Sequence, residues 1–167
     1  GGDVCRGGQA LSVTVTAVGT PGPAGLLLRS GARPGDAICV TGRLGGSIRG
    51  RHLTFEPRIE EALKLADEFR VHALIDVSDG LSTDVLHIAE ASGVGVLLFQ
   101  DAIPVCEDAG TLADQTGRSP VDHALNDGED YELLFTTPAD ERVVEHLHGV
   151  AKKCGAAPAL IGRGTGD

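Results

Sequence analysis

The sequence has no methionine or tryptophan, and only one tyrosine and four phenylalanines stand among its 167 residues. Its apolar runs stay well below the roughly 20 residues that a membrane-spanning helix needs, and its N-terminus has no signal-peptide pattern. We therefore predict a soluble, globular chain without a membrane partner, large enough to bury a hydrophobic core without the help of disulfide bonds or metal ions. Because the chain opens with GGDVCRGG and lacks an initiator methionine, we expect a segment of a longer protein.

The cysteines and histidines lack the spacing of known metal or disulfide motifs. No C-x-x-C pair occurs, and His146 and His148 are not separated by the four positions of a helical metal pair. The sequence also shows no Ser-His-Asp or Cys-His signature of a nucleophilic enzyme. These absences disfavour a zinc site or a disulfide framework and predict a reducing, cytoplasmic compartment.

Charge is distributed unevenly along the chain. The part up to Arg58 has a net charge of +4, and the remainder has −14, within a total of −10. An acidic total argues against nucleic acid as a partner, because that affinity comes mostly from cations that neutralise phosphates. The arginine-rich first third fits an anionic small ligand held by arginine and by a divalent metal, and solvated surface charge is the alternative.

Hydrophobic periodicity and Gly/Pro punctuation predict an α+β layered fold, with a mixed sheet covered by helices. The helix at 57–69 is expected to turn Ile59, Leu63, Ala66 and Phe69 towards the core. Strands are predicted at 11–18, 37–41, 73–77, 94–99, 130–136 and 159–161, of which 130–136 is expected to be central. Helices are predicted at 57–69, 81–91, 106–117 and from 138 to about 155.

The stretch ALIDVSDGL, residues 73–81, carries two aspartates where a predicted strand becomes a helix. Strand alternation turns Asp76 and Ser78 away from the apolar face, and Asp79 falls at the predicted helix N-cap. A buried and unpaired Asp76 would be costly, so we expect it to have a partner. One interpretation is a hard divalent cation, with the helix N-terminus facing its phosphate ligands. The other is an ordinary cap with a salt-bridged Asp76.

Three further segments carry charge or glycine. In NDGEDYELLFT, acids cluster at the start of a strand, where they could bind a cation or a cationic ligand or simply be solvated. The loop TGRLGGSIRG lacks both G-x-G-x-x-G and G-x-x-x-x-G-K-[ST], so its glycines more simply serve turns. Arg29 lies before a turn, where its guanidinium could make a bidentate contact with a phosphate or pair with a protein carboxylate.

In their order and approximate spacing, these segments resemble the second half of a thiamine-monophosphate kinase. GGD, LLLRSGARPGD, VTGRLGGS, PRIEEALKL, IDVSDGL, GEDYELLFT and IGR together cover nearly the whole chain, and IDVSDGL with GEDYELLFT is specific. The resemblance implies the layered C-terminal domain of the aminoimidazole-ribotide-synthetase superfamily over residues 21–167. Residues 1–20 would then be a remnant strand from the end of the preceding ATP- and metal-binding domain.

The resemblance implies Mg²⁺-dependent, in-line transfer of the ATP γ-phosphoryl group to thiamine monophosphate, which gives thiamine diphosphate. No catalytic side chain is expected, because a phosphate monoester with a second pKa of about 6 is already largely dianionic at neutral pH. By match to the family's motifs, Mg²⁺ would be held by Asp3, Asp76 and Asp79, ATP would be contacted by Gly2, Asp3, Arg29 and Ser78, and the thiamine substrate by Glu129.

The sequence departs from the family at Val4, where Thr is usual, and at Asp127, where Gly is common. The family's N-terminal half and an aromatic C-terminal segment are missing, so we expect these 167 residues alone to be inactive. The parent would be a homodimer formed through the missing N-terminal domain. Two alternatives remain: another ATP-dependent synthetase of the superfamily, for purine biosynthesis or selenophosphate synthesis, and a non-catalytic domain that keeps the fold.

Overall fold

The computed structural model describes residues 2–7, 10–139 and 159–166, with side chains described for 13–139 and 161–166. The described strands are β1 (Gly2–Gly7), β2 (Ala10–Val15), β3 (Ala37–Val40), β4 (Ala73–Asp76), β5 (Gly95–Leu98), β6 (Leu133–Thr137) and β7 (Ala159–Thr165). The described helices are α1 (Arg51–Thr54), α2 (Ile59–Glu68), α3 (Leu81–Ser92), α4 (Glu107–Thr116) and α5 (Pro120–Asn126).

The strands form two separate sheets. Strands β1 and β2 pair with each other in an antiparallel hairpin, and the other five form a sheet of order β4-β6-β3-β7-β5. Every pairing in the larger sheet is antiparallel. The α+β class is therefore confirmed, whereas the sheet is antiparallel rather than mixed. The prediction that the 130–136 strand lies inside the sheet is confirmed, because β6 sits between β4 and β3.

Helices cover both faces of the five-stranded sheet. On one face, Ile38 and Leu134 pack with Val85 of α3 and Ala124 of α5. On the other face, the core includes Ala37, Cys39, Leu133 and Phe135 together with Leu65 of α2. Successive residues of β3 therefore point alternately into the two cores. Because both faces of the strand are covered, all four of its residues are apolar and buried.

Helix α2 buries only part of the face that its apolar residues predicted, since Phe69, which directly follows the helix, packs against the second core. Ile59 and Leu63 are 63% and 62% exposed, whereas Leu65 and Glu61 are buried. Glu61 tolerates burial because Arg58 lies 3.4 Å from its carboxylate. The predicted inward positions of Ile59 and Leu63 were therefore wrong, and the contact with Arg58 offsets part of the cost of burying Glu61.

Two predicted elements need a further comment. The helix predicted from Pro138 lies almost wholly outside the described residues, so it stays a prediction. Helix α5 was not predicted, although Ser119 accepts a hydrogen bond from the Asp122 main-chain NH and Pro120 occupies the first turn. Among the described residues, no helix combines the length and the apolar character needed to cross a membrane.

Candidate functional site

The connection from β4 to α3 carries two exposed carboxylates. Asp76 is exposed because it is the last residue of β4, which lies at one edge of the sheet, so the prediction that it is buried was wrong. Asp79 is also exposed and is not the helix cap, since Gly80 occupies the N-cap position with a φ of 99°. A Cβ on Gly80 would lie 2.9 Å from the carbonyl oxygen of Leu125, which favours glycine at this close approach.

The buried carboxylate of this region belongs to Asp84, which the sequence analysis missed. Asp84 is 1% exposed, and its Oδ2 accepts hydrogen bonds of 3.0 Å from the main-chain NH groups of both Ser78 and Asp79. Burial raises the pKa of Asp84, and the negative charges of Asp79 and Asp76 raise it further, while the two main-chain hydrogen bonds oppose the rise. Asp84 is thus close enough to both Asp76 and Asp79 for their negative charges to disfavour its own.

Asp79 and Asp84 also lie beside a histidine. Ligand atoms of Asp79, Asp84 and His87 all lie within 4.8 Å of one another. Asp84 and His87 are three positions apart on α3, which places them on one face of the helix. This spacing was the available sequence signal for their proximity, but the position of Asp79 relative to the helix depends on the fold.

The acidic segment around GEDYE lies directly against the β4–α3 connection. The main-chain NH of Glu129 donates to the carbonyl oxygen of Ser78, and the NH of Tyr131 donates to that of Val77, each at 2.8 Å. Val77 in turn donates to the carbonyl oxygen of Glu132 at 2.8 Å. The fold therefore brings together the two segments that the sequence analysis singled out separately.

This pairing places the GEDYE backbone in an uncommon conformation. Glu129 and Tyr131 have φ values of 54° and 53°, and Gly128 has a φ of 71°. A Cβ on Gly128 would lie 2.6 Å from the carbonyl oxygen of Ser78. The side chain of Glu129 is exposed, and the Tyr131 ring stacks on Phe55 with a centroid separation of 4.2 Å.

The acids that alternate with these residues point inward. Asp130 is 2% exposed, and its carboxylate accepts from the Gly45 NH at 2.9 and 3.0 Å and from Arg51 at 2.6 Å. Burial raises the pKa of Asp130 to about 6, although the Gly45 NH and the Arg51 guanidinium act in the opposite direction. Asp130 therefore anchors the glycine-rich loop to the GEDYE segment.

Glu132 is the second inward acid of this segment. It is 3% exposed and receives a forked contact from Arg58, with distances of 3.0 Å from Nε and 2.8 Å from Nη2, and a hydrogen bond from the Thr41 hydroxyl at 2.7 Å. The interpretation of GEDYE as solvated turn charge was therefore wrong for Asp130 and Glu132. It holds for the exposed Glu129, which is left available for a ligand.

The glycine-rich loop 41–50 packs against other parts of the protein. A Cβ on Gly45 or Gly46 would lie 2.7 Å from the Ala124 nitrogen or 2.6 Å from the Ala109 nitrogen, respectively. The Ser47 hydroxyl donates to the carbonyl oxygen of Glu129 at 2.6 Å. The simpler sequence interpretation, in which these glycines serve turns and close packing, is the one that the geometry supports.

The remaining predicted site residues are not gathered here by any described contact. Gly2 and Asp3 lie in β1, where their register partners are Val15 and Thr14, and the Asp3 side chain is outside the described residues. Arg29 is exposed and makes no ion pair within the described part of the chain.

Asp127, the residue that departs from the family pattern, has partners of its own. Its carboxylate contacts Arg118 at 3.0 Å and His123 at 2.7 Å. These contacts tie the end of α5 to the segment before that helix. The extra charge at Asp127 is therefore explained by local pairing and adds no free carboxylate to the site.

Sequence comparison connects this fold to known proteins. Residues 40–167 match the family described as AIR synthase related protein, C-terminal domain. The thiamine-monophosphate kinase of Rhodopirellula baltica is 46% identical over 145 residues, which cover 86% of this chain and 45% of that protein. The chain spans about half the length of the curated relatives it matches.

Solved structures give the same result. The crystal structure of thiamine-monophosphate kinase from Stenotrophomonas maltophilia K279a aligns with a TM-score of 0.70 at 33% identity, covering 84% of this chain and 51% of that one. A structure described as AaThiL complexed with AMPPCP and TMP aligns with a TM-score of 0.59 at 28% identity, covering 84% and 48%. The similarity thus extends over most of the chain in both sequence and structure.

Proposed function

The chain belongs to the family of AIR synthase related proteins, and from this premise we propose that it supplies the C-terminal domain of a thiamine-monophosphate kinase. The intact enzyme would transfer the γ-phosphoryl group of ATP to thiamine monophosphate and release thiamine diphosphate. Residues 21–167 would form this domain, and residues 1–20 would end the preceding one. The separate β1–β2 hairpin supports that boundary.

The observation that carries the proposal is the contact between the two acidic segments. The Glu129 NH to Ser78 carbonyl hydrogen bond sets Ser78 and the exposed Asp79 beside the exposed Glu129. Phosphoryl transfer requires ATP, the donor, and thiamine monophosphate, the acceptor, to be bound next to each other, with the attacking and leaving oxygens in line. We assign Ser78 to ATP and Glu129 to the cationic thiamine moiety, with Gly2, Asp3 and Arg29 as further ATP contacts.

The residues present fit Mg²⁺ as the cation of this site. Asp76 and Asp79 are exposed carboxylates with no ion pair to a basic side chain in the described residues, and a third carboxylate, Asp84, lies next to them. Carboxylate oxygens are the ligands that Mg²⁺ prefers. We assign Asp76 and Asp79, together with Asp3, to Mg²⁺, which when bound would offset the negative charge of the phosphates.

The chain's own residues then have positioning and binding roles. The exposed Asp76 and Asp79 supply negative charge on either side of the half-buried Ser78, and the exposed Glu129 offers a negative charge to a cationic ring. No side chain has to remove a proton, because the acceptor phosphate is largely dianionic at neutral pH. A cytoplasmic location and a homodimer formed through the other domain belong to the same proposal.

Substitution of the two exposed aspartates tests the proposal. In the intact kinase, we expect Asp76→Asn and Asp79→Asn each to lower kcat by about 100-fold or more, because charge stabilisation in the transition state is lost. Asp114→Asn makes the same chemical change at an exposed position of α4 and should leave kcat unchanged. The measurement is formation of ADP and thiamine diphosphate from ATP and thiamine monophosphate.

Two results would contradict the proposal. Near-normal turnover in both aspartate variants would favour a non-catalytic role for this domain. Turnover with a substrate of the purine or selenophosphate synthetases, and none with thiamine monophosphate, would assign the intact protein to another branch of the family. We also expect the 167 residues alone to show no turnover, since they span only about half of the related kinases.

A further inference from the structure

Asp84 occupies an unusual place for an aspartate. It lies in the first turns of α3, is 1% exposed, and stands beside two other carboxylates that repel its charge. Burial of a charged group is costly unless the group is well hydrogen-bonded. The structure compensates Asp84 with the NH groups of Ser78 and Asp79, both 3.0 Å from the same oxygen, Oδ2.

These two hydrogen bonds fix the backbone that carries the exposed carboxylates. The NH groups of Ser78 and Asp79 precede the N-cap Gly80, so the helix itself does not use them. On the opposite side, Val77 and Ser78 are held by main-chain hydrogen bonds to the GEDYE segment. The connection is therefore clamped between GEDYE and Asp84, and the Asp79 side chain is left exposed.

We propose that Asp84 is a positioning residue, which holds Ser78 and Asp79 in the geometry that binds the metal-nucleotide complex and acts through its hydrogen bonds rather than as a ligand. This role rests on the proposed function, because it presumes that Asp79 binds a divalent ion. Two features favour it: one oxygen of Asp84 is committed to two NH donors, and the residue is almost fully buried. Partners that orient a metal ligand commonly matter about 10–100-fold to metal affinity.

Two substitutions separate positioning from ligation. Asp84→Ala removes the acceptor, whereas Asp84→Asn keeps a carbonyl oxygen that can accept both hydrogen bonds but removes the charge. In the intact protein, with Mn²⁺ as the probe and free Mn²⁺ measured by electron paramagnetic resonance, we expect Asp84→Ala to weaken binding about tenfold or more. Asp84→Asn should stay within about threefold of the wild type.

Val85→Ala is the matched control for loss of stability. Val85 is the next residue of α3 and is buried in the core, so its truncation lowers the melting temperature without touching the connection. We expect Val85→Ala to bind Mn²⁺ like the wild type. Equal weakening in Val85→Ala and Asp84→Ala would overturn the proposal, because the effect would then be general destabilisation.

A readout without metal tests the hydrogen bonds of Asp84 independently of the proposed function. Hydrogen exchange of the Ser78 and Asp79 amides should accelerate in Asp84→Ala and remain slow in Asp84→Asn and Val85→Ala. Unchanged exchange in Asp84→Ala, or Mn²⁺ binding as weak in Asp84→Asn as in Asp84→Ala, overturns the positioning role. Wild-type protein that binds no Mn²⁺ overturns the metal assignment of the proposed function and this positioning role with it, while the exchange data alone report whether Asp84 holds the connection.

Discussion

The main-chain NH of Glu129 donates a hydrogen bond of 2.8 Å to the carbonyl oxygen of Ser78. Together with the main-chain hydrogen bonds between Val77 and the GEDYE segment, this contact joins two acidic segments that are far apart in the sequence. It sets the proposed thiamine-binding side chain beside the proposed ATP-binding one. Its geometry depends on left-handed backbone at Gly128 and Glu129. The site is therefore sensitive to residues that shape this backbone as well as to those that touch a ligand.

Gly128 is the first such residue. Gly128→Ala should destabilise the protein by about 1–3 kcal/mol, because φ is 71° and a Cβ would lie 2.6 Å from the Ser78 carbonyl oxygen. Gly110→Ala is the matched control, since Gly110 lies within α4 with nothing within 4 Å of its Cβ position, and it should stabilise by about 0.5–1 kcal/mol. Urea unfolding of both variants checks the opposite signs, and a stable Gly128→Ala would contradict the tight packing of the two segments.

The ion pairs behind the GEDYE segment give a second prediction. Arg58→Ala leaves the buried Glu132 without its forked partner and should cost about 3 kcal/mol of unfolding free energy. The unfolding free energy of Arg58→Lys should fall between those of the wild type and Arg58→Ala, because lysine keeps the positive charge but cannot make the forked contact. Arg118→Ala, which removes the exposed contacts with Asp122 and Asp127, should destabilise the protein much less than Arg58→Ala does.

A double-mutant cycle isolates the Arg58–Glu132 pair. Adding Glu132→Gln to Arg58→Ala should recover part of the lost stability, because the unpaired buried charge is removed. Purely additive effects in urea unfolding would show that the two side chains do not depend on each other, contrary to their 2.8 Å contact.

Asp130 gives a pH-dependent prediction. Its folded-state pKa of about 6 lies above the ordinary value of about 3.9, so the folded protein binds this proton more tightly than the unfolded chain does. The contribution of Asp130 to the unfolding free energy should therefore rise as the pH falls from 7 to 4, by an amount on the order of 1–3 kcal/mol. Other carboxylates titrate in the same window, so the comparison must be made with Asp130→Asn, which cannot titrate.

The measurement is the difference in unfolding free energy between the wild type and Asp130→Asn at pH 7 and at pH 4. We expect this difference to shift in favour of the wild type at the lower pH. A shift in the opposite direction would show that the Arg51 contact outweighs the effect of burial on the pKa of Asp130.

Local signals in the sequence were enough to predict most elements near the site. The glycine that follows α3, Gly93, is a left-handed C-cap, a common local signal for the end of a helix. The prediction of a central strand at 130–136 is confirmed by β6, which lies inside the sheet. The sequence could not show that Asp84 is buried, because an aspartate in a helix normally faces water. Its donors come from the Ser78–Asp79 connection, so its burial follows from tertiary structure.

The same limit applies to the two acids of GEDYE that point inward. Alternation along a strand predicts that Asp130 and Glu132 share a side, but it does not say which side is buried. The answer depends on Arg51 and Arg58, which come from distant helical segments and compensate the buried charge. Long-range ion pairs of this kind leave no periodic pattern in the sequence.

Glu129 gives the prediction closest to the proposed substrate. Because the other two acids of its segment are committed to arginines, Glu129 is the carboxylate of GEDYE that remains exposed to a ligand. In the intact kinase that we propose, Glu129→Gln should raise KM for thiamine monophosphate about tenfold or more, since a charge-assisted contact is weakened, and should leave KM for ATP unchanged. Glu90→Gln, at an exposed position of α3, is the control and should change neither KM. An equal rise of both KM values in Glu129→Gln would mean that the substitution distorts the shared backbone contact with Ser78, and that the carboxylate itself does not select the thiamine substrate.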